Sequence, residues 1–315
     1  MELGTLLHQL VFDYTLRTIV LGCAVLGIAS GALGTFALLR RQSLIGDSLS
    51  HAALPGVCVA FLLAGETKNP LILLIGAAIS GWLGSILASV ITQNTRIKDD
   101  AAQGIVLASF FGTGYVLLSL IQSSAGAGQA GLDKYLFGSA ASLVERDVQT
   151  IGALSILVLF VLGFCYKEFK LMAFDGDFLT SLGLPRRRLD LLLTTLTVIV
   201  VVVGLQIVGV ILMVAMLIAP AAAARQWTNR LSRMIAIAMF VGASAGVIGA
   251  IASALEASTP TGPAIVLALS AMVVFSFAFG TERGLVWNAV RARRDRRTAL
   301  ARVHARDTKV YAAGD

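Results

Sequence analysis

Apolar stretches of about twenty residues recur through most of the chain, and they limit its fold more than any other feature. A helix rises 1.5 Å per residue, so about twenty apolar residues cross the roughly 30 Å of bilayer hydrocarbon. Such runs fall near 15–39, 43–64, 70–92, 103–122, 150–166, 191–204, 206–223, 232–254 and 263–280. They do not alternate in polarity, which excludes a β-barrel. With 57% hydrophobic and 14% charged residues, the composition also excludes a soluble domain. The reading is all-α: a polytopic membrane helix bundle of about nine transmembrane helices over 15–281. An interfacial segment, 1–14, precedes it and a basic tail, 282–315, follows.

The count turns on 191–223. As one helix this run would be roughly 50 Å long, too long for one ordinary span, yet each half is short of the usual twenty residues. Gly204-Leu205-Gln206 and Gly209 offer a turn. A single crossing there gives eight spans instead of nine.

Charge decides between them and sets orientation. Lys and Arg fall mainly in the gaps between runs and in the tail, so the net charge of +7 follows the positive-inside pattern and carries no nucleic-acid meaning. Arg40-Arg41, Arg96 with Lys98, Lys167 with Lys170, Arg186-Arg187-Arg188, Arg225 with Arg230 and Arg233, and the tail all lie on the cytoplasmic side only with nine crossings. The N-terminus, 65–69, 123–149 and 256–261 then lie outside, and the C-terminus is cytoplasmic. The tail is suited to anionic lipid headgroups. Glu2, Asp13 and the lack of a basic n-region give no sign of a cleavable signal peptide. Cys23, Cys58 and Cys165 lie apart in apolar stretches and read as small packing residues.

One polar pair breaks the second run. Asp47 and His51, four residues apart, project from the same face of a helix. An ionised Asp at membrane depth costs on the order of 3 kcal/mol, so such residues usually turn inward and mark an ion, proton or substrate path. Pro55, followed by Gly56, marks a kink and packing point. A helical proline also frees the carbonyl four residues back, here that of His51. Carboxylate, imidazole and carbonyl suit Mn, Fe or Zn. One chain supplies too few ligands, but two copies about a twofold axis would supply two Asp and two His. The plainer alternative is that the two side chains pair with each other or cap nearby backbone.

A second feature is the segment from Phe174 to Pro185, with Phe174, Asp175, Asp177, Phe178, Leu179, Leu182 and Gly183. Asp177 is expected to cap a short helix with Phe178, Leu179 and Leu182 on one face, ended by Gly183. An exposed apolar helix between two spans is shaped for a cytosolic partner; lying on headgroups is its other reading. Third, the run from Val208 to Arg225 ends in alanines around Pro220, a pattern for tight helix packing. Met213 and Met216 within it read as packing residues. A P-loop, a His-Glu-x-x-His zinc motif and a Gly-x-Ser-x-Gly elbow are all lacking from the sequence, so no catalytic machinery is visible.

At these stretches the chain resembles the permease subunits of ATP-binding-cassette importers for manganese, zinc and iron. The resemblance covers nearly all of 15–285, through Leu39 to Gly56, Leu132 to Ser139, Phe174 to Pro185, Val208 to Arg225 and Ser258 to Leu267. It implies a second permease, an identical copy or a related one, with two cytosolic ATPase subunits and an extracytoplasmic metal-binding protein, in a bacterial plasma membrane. Asp47 and His51 match the family's metal-coordinating pair. Residues 174–184 match its coupling helix, which docks on the ATPase. The cargo implied is Mn²⁺ or Zn²⁺, or else Fe²⁺, with no permanent cofactor. Two other classes compete: a proton-coupled secondary transporter relaying protons through Asp47 and His51, and a non-transporting membrane scaffold.

Overall fold

The computed structural model describes residues 14–65, 70–123, 145–255 and 261–287. Residues 1–13 of the expected interfacial segment 1–14, the Leu132 to Ser139 motif and the tail beyond 287 lie outside the described residues. Among the described residues ten helices follow in order: α1 Tyr14–Leu39, α2 Ile45–Leu63, α3 Pro70–Asn94, α4 Asp99–Ser123, α5 Glu145–Phe164, α6 Tyr166–Phe174, α7 Gly176–Ser181, α8 Arg186–Arg225, α9 Leu231–Leu255 and α10 Thr261–Phe279. No strand occurs among the described residues.

Among the described residues eight helices are long and apolar enough to cross a membrane, α8 through its first arm, Arg186–Leu205. Its second arm, Leu212–Arg225, is apolar but shorter. The two arms are antiparallel. In a continuous helix Gly204 and Met213 would stand about 13.5 Å apart along the axis, yet the Met213 side chain lies against Gly204. Both ends of α8 also reach the end of α1, where Asp190 pairs with Arg40 and Ala224 packs on Leu38 and Leu39. The reversal sits at Gly209, whose φ of 79° and ψ of 174° belong to a region that only glycine occupies without strain. Gly209→Ala is therefore expected to cost about 1–3 kcal/mol and to lower the thermal midpoint of the detergent-solubilised protein. Each of the nine segments read from the sequence falls on a helix, but the seventh, 206–223, supplies an arm too short to count as a full-length span by itself.

Packing sorts the helices into a centre and a rim. The spans of α1 and α2 are 78% and 67% buried, whereas those of α4, α5 and α10 are 22% buried. Helix α1 packs on α5, α8 and α9, and α2 on α3, α4 and α8. Phe36, Phe61, Leu33, Leu49 and Leu217 fill the middle. The rim helices turn aliphatic and aromatic side chains outward, as in Ile72, Ile75, Ile79 and Leu83 of α3 and Phe160 and Phe164 of α5. In water these would be a liability; in lipid they are the solvated face.

The ends of the bundle differ in charge. Arg40, Arg96, Lys98, Arg186, Arg187, Arg188, Arg225 and Arg230 fall at connections that the alternating helices bring to one face. Glu282 joins that face through its backbone N–H to the Gln226 carbonyl, 3.0 Å, and through its carboxylate to Asn229, 2.8 Å. On the opposite face the Tyr14 hydroxyl accepts from the Glu145 backbone N–H at 3.2 Å, placing the starts of α1 and α5 together.

Candidate metal site on the second helix

Helix α1 ends in a left-handed turn. Gln42 N–H donates to the Ala37 carbonyl and Arg41 N–H to Leu38, with Arg41 at φ 59° in the position that usually takes glycine. The chain reverses within five residues and α2 begins at Ile45, so Asp47 falls in the first turn. A carboxylate is favoured at this positive end of a helix. One turn on, His51 Nε2 stands 3.3 Å from Asp47 Oδ1. The imidazole meets the Phe111 ring of α4 edge-to-face, with centroids 4.8 Å apart, and Phe111 in turn approaches Tyr115 at 6.2 Å.

The pair sits at the edge of what one chain covers. The side chains of His51 and Asp47 are 26% and 35% exposed, while their neighbours Ala52 and Ala53 are buried. Phe111 and Tyr115 beside them are exposed too. No group of three or more His, Cys, Asp or Glu comes together among the described residues. A single copy thus presents two metal-type ligands on an uncovered face, and the two do pair with each other, as the plainer reading had it.

Beyond the pair, α2 is locked to its neighbours. Pro55 is accommodated inside the helix, and its nitrogen faces Gly114 of α4. Gly56 stacks on Gly76 of α3, and Ser80 Oγ donates to the Ala52 carbonyl at 2.7 Å. These contacts fix the helix that carries the ligands. Pro220 is buried, with Ala221, Ala223 and Ala224 fully covered, so the small-residue run is the tight interface its composition implies. Met213 and Met216 are buried packing residues.

The Phe174 to Pro185 segment holds the last residue of α6 and the whole of the short helix α7. The cap of α7 is Asp175, not Asp177. Asp175 Oδ1 accepts from the Phe178 N–H at 2.9 Å, because a cap side chain reaches the N–H three residues on. Asp177 lies instead in the first turn, 3.6 Å from Arg186. The expected single apolar face also divides: Leu179 is fully buried under the bundle, whereas Phe174, Phe178 and Leu182 are more than half exposed. Gly183, at φ 76°, ends the helix, with Leu184 N–H returning to the Leu179 carbonyl. The sequence showed that the segment keeps an apolar surface; which residue anchors it and which remain free needed the fold. Phe111, the ring against His51, was likewise not singled out from sequence, where it is one apolar residue in an apolar run.

Helices of this length and arrangement define a polytopic membrane protein, and ionisable groups held at membrane depth mark transporters and pumps among such proteins. The pattern of the ABC 3 transport family matches residues 12–280, and the chain belongs to that family. It is 46% identical over 288 residues to the zinc transport system membrane protein TroC of Treponema pallidum, covering 91% of this chain and 96% of that protein. It is 47% identical over 279 residues to the manganese transport system membrane protein MntC of Bacillus subtilis, covering 89% of this chain and 64% of that protein. The chain thus spans just under two thirds of that second relative. Among solved structures it matches PsaBC from Streptococcus pneumoniae in complex with Fab, with a TM-score of 0.77 and 32% identity over 90% of this chain and 98% of that one. The chain is a multi-pass membrane subunit of a transporter and not an enzyme; in this family the ATPase is a separate subunit.

Proposed function

We propose that the chain is the permease through which a divalent transition metal ion, manganese or zinc with iron as the third choice, enters the cytoplasm, driven by ATP hydrolysis on separate subunits. The observation that carries this is the Asp47–His51 pair, 3.3 Å apart on the uncovered face of an otherwise buried helix. A carboxylate and an imidazole suit Mn²⁺, Fe²⁺ and Zn²⁺ alike, and the names of the relatives favour manganese or zinc. A second permease copy facing the first completes a four-ligand set. Such a set binds an ion delivered by an extracytoplasmic metal-binding protein, and must hold it weakly enough to release it inward. The basic face is cytoplasmic, by the positive-inside pattern, and the tail emerges there. Element-by-element metal content of cells with and without this chain is the test. Loss of manganese or zinc alone on deletion is the expected result, and an unchanged metal content would defeat the reading.

On this reading residues 174–184, built around α7, form the coupling element that docks on a cytosolic ATPase. Phe174, Phe178 and Leu182 are its free apolar contacts, and the buried Leu179 ties it to the bundle. Phe178→Asp with Leu182→Asp is expected to lower co-purification of the ATPase by more than about tenfold, since each charge is placed in an apolar contact. The permease itself should remain folded, because both side chains are exposed. Undiminished co-purification would remove the assignment.

A further inference from the structure

On the basic face, away from the metal ligands, the bundle encloses a polar cavity of about 410 Å³, within the size range of small-molecule sites. It touches α2 through Ile45 and Leu49, each about 160° round the helix from Asp47, and through Ser48, about 100° from it. The cavity therefore opens on the far side of α2 from the metal pair. Five separated segments build it: the end of α1, the starts of α2, α4 and α8, and the last turns of α3.

Its lining is divided in character. Arg40, Arg186 and Arg187 stand on one side. Arg40 is held by Asp190, and Arg186 reaches Asp177 at 3.6 Å between two well-exposed side chains. Arg187 has no ion-pair partner among the described residues. On the α4 side stand Asp99 and Gln103. Gln103 is only 6% exposed, and its Oε1 finds no hydrogen-bond donor among the described residues. That oxygen has no accessible surface, so the acceptor that faces a ligand is the exposed Asp99 carboxylate, and a matching ligand brings acceptor oxygens for arginine and a donor for Asp99 in one molecule.

The depth of the cavity says where such a molecule comes from. The outward face of α3 is aliphatic through Leu83, Leu87 and Val90, which are 51%, 41% and 43% exposed, so hydrocarbon reaches this level. Ser85 and Ser89, on the same turns, line the cavity. The polar walls therefore begin where acyl chains give way to headgroups, and basic pockets between membrane helices on the cytoplasmic side are recurrent headgroup sites. We propose that the cavity holds a phospholipid headgroup, with the phosphodiester against Arg186 and Arg187 and a donor-bearing alcohol, ethanolamine or glycerol, against Asp99. Guanidinium groups suit the phosphate oxygens, which accept paired hydrogen bonds. The trimethylammonium of a choline headgroup has no N–H or O–H to offer Asp99.

Native mass spectrometry of the delipidated chain, titrated with phosphatidylethanolamine, phosphatidylglycerol or phosphatidylcholine, tests this directly. One ethanolamine or glycerol lipid per chain is expected to bind at least about fivefold more tightly than the choline lipid. Arg187→Gln, at an exposed position, should weaken that binding roughly fivefold, the effect of one cation near a lipid phosphate. Asp99→Ala should abolish the preference over choline. Equal binding of the three lipids, or unchanged affinity in both variants, would overturn the proposal. Displacement of the lipid by millimolar inorganic phosphate would equally overturn it, by assigning the cavity to a soluble anion.

Discussion

Asp47→Ala and His51→Ala are each expected to reduce metal accumulation at least about a hundredfold, since loss of even an outer partner of a metal ligand costs ten- to a hundredfold. The fold should survive both. The pair is partly solvated, and an exposed ion pair at i, i+4 contributes about 0.5 kcal/mol or less. His51 also rests on Phe111 by one ring edge, so its removal opens space at an uncovered face and leaves no cavity in the core. Uptake of radioactive manganese or zinc into cells carrying each variant, at matched membrane expression and with ATPase assembly intact, separates loss of passage from loss of protein. Normal uptake in both variants would remove these residues from the path.

Gly34→Ala should act through the opposite route, on stability. A Cβ on Gly34 would collide with the Leu217 backbone carbonyl, because α1 and the second arm of α8 approach to backbone contact there. Backbone cannot move aside as a side-chain tip can. The expected loss is about 3 kcal/mol, the upper range for overpacking, seen as a large fall in thermal midpoint or failure to accumulate in membranes. Gly112→Ala and Gly152→Ala are the controls: nothing lies within 4 Å of the added carbon at either position. In those helices alanine should be neutral or stabilising by up to about 1 kcal/mol. Equal destabilisation at Gly34 and Gly112 would contradict the packing described.

Much of the architecture was legible because the bilayer enforces it. Length and apolarity alone place a span near 232–254, and the helix runs Leu231–Leu255. The reversal inside 191–223 was also readable, since basic residues at both ends demand an even number of crossings between them. Its position was narrowed to Gly204 through Gly209, and the backbone turns at Gly209. Finer points depended on atoms that pattern does not locate. Asp175 and Asp177 are equally good caps by composition, and the choice follows from which one meets the Phe178 N–H. Phe178, Leu179 and Leu182 look alike in sequence, but only Leu179 faces the bundle. Asp47 and His51 stood out because their spacing is local. The headgroup cavity did not, because Arg40, Gln103 and Arg187 converge from distant parts of the chain.

The most direct measurement is metal bound per chain in the purified permease, by equilibrium dialysis against Mn²⁺ with electron spin-echo detection of nitrogen coupling. One ion per two chains, coupled to imidazole nitrogen and lost in both Asp47→Ala and His51→Ala, is the predicted result. One ion per chain, or an ion retained in those variants, would contradict a passage site shared between two facing copies of α2.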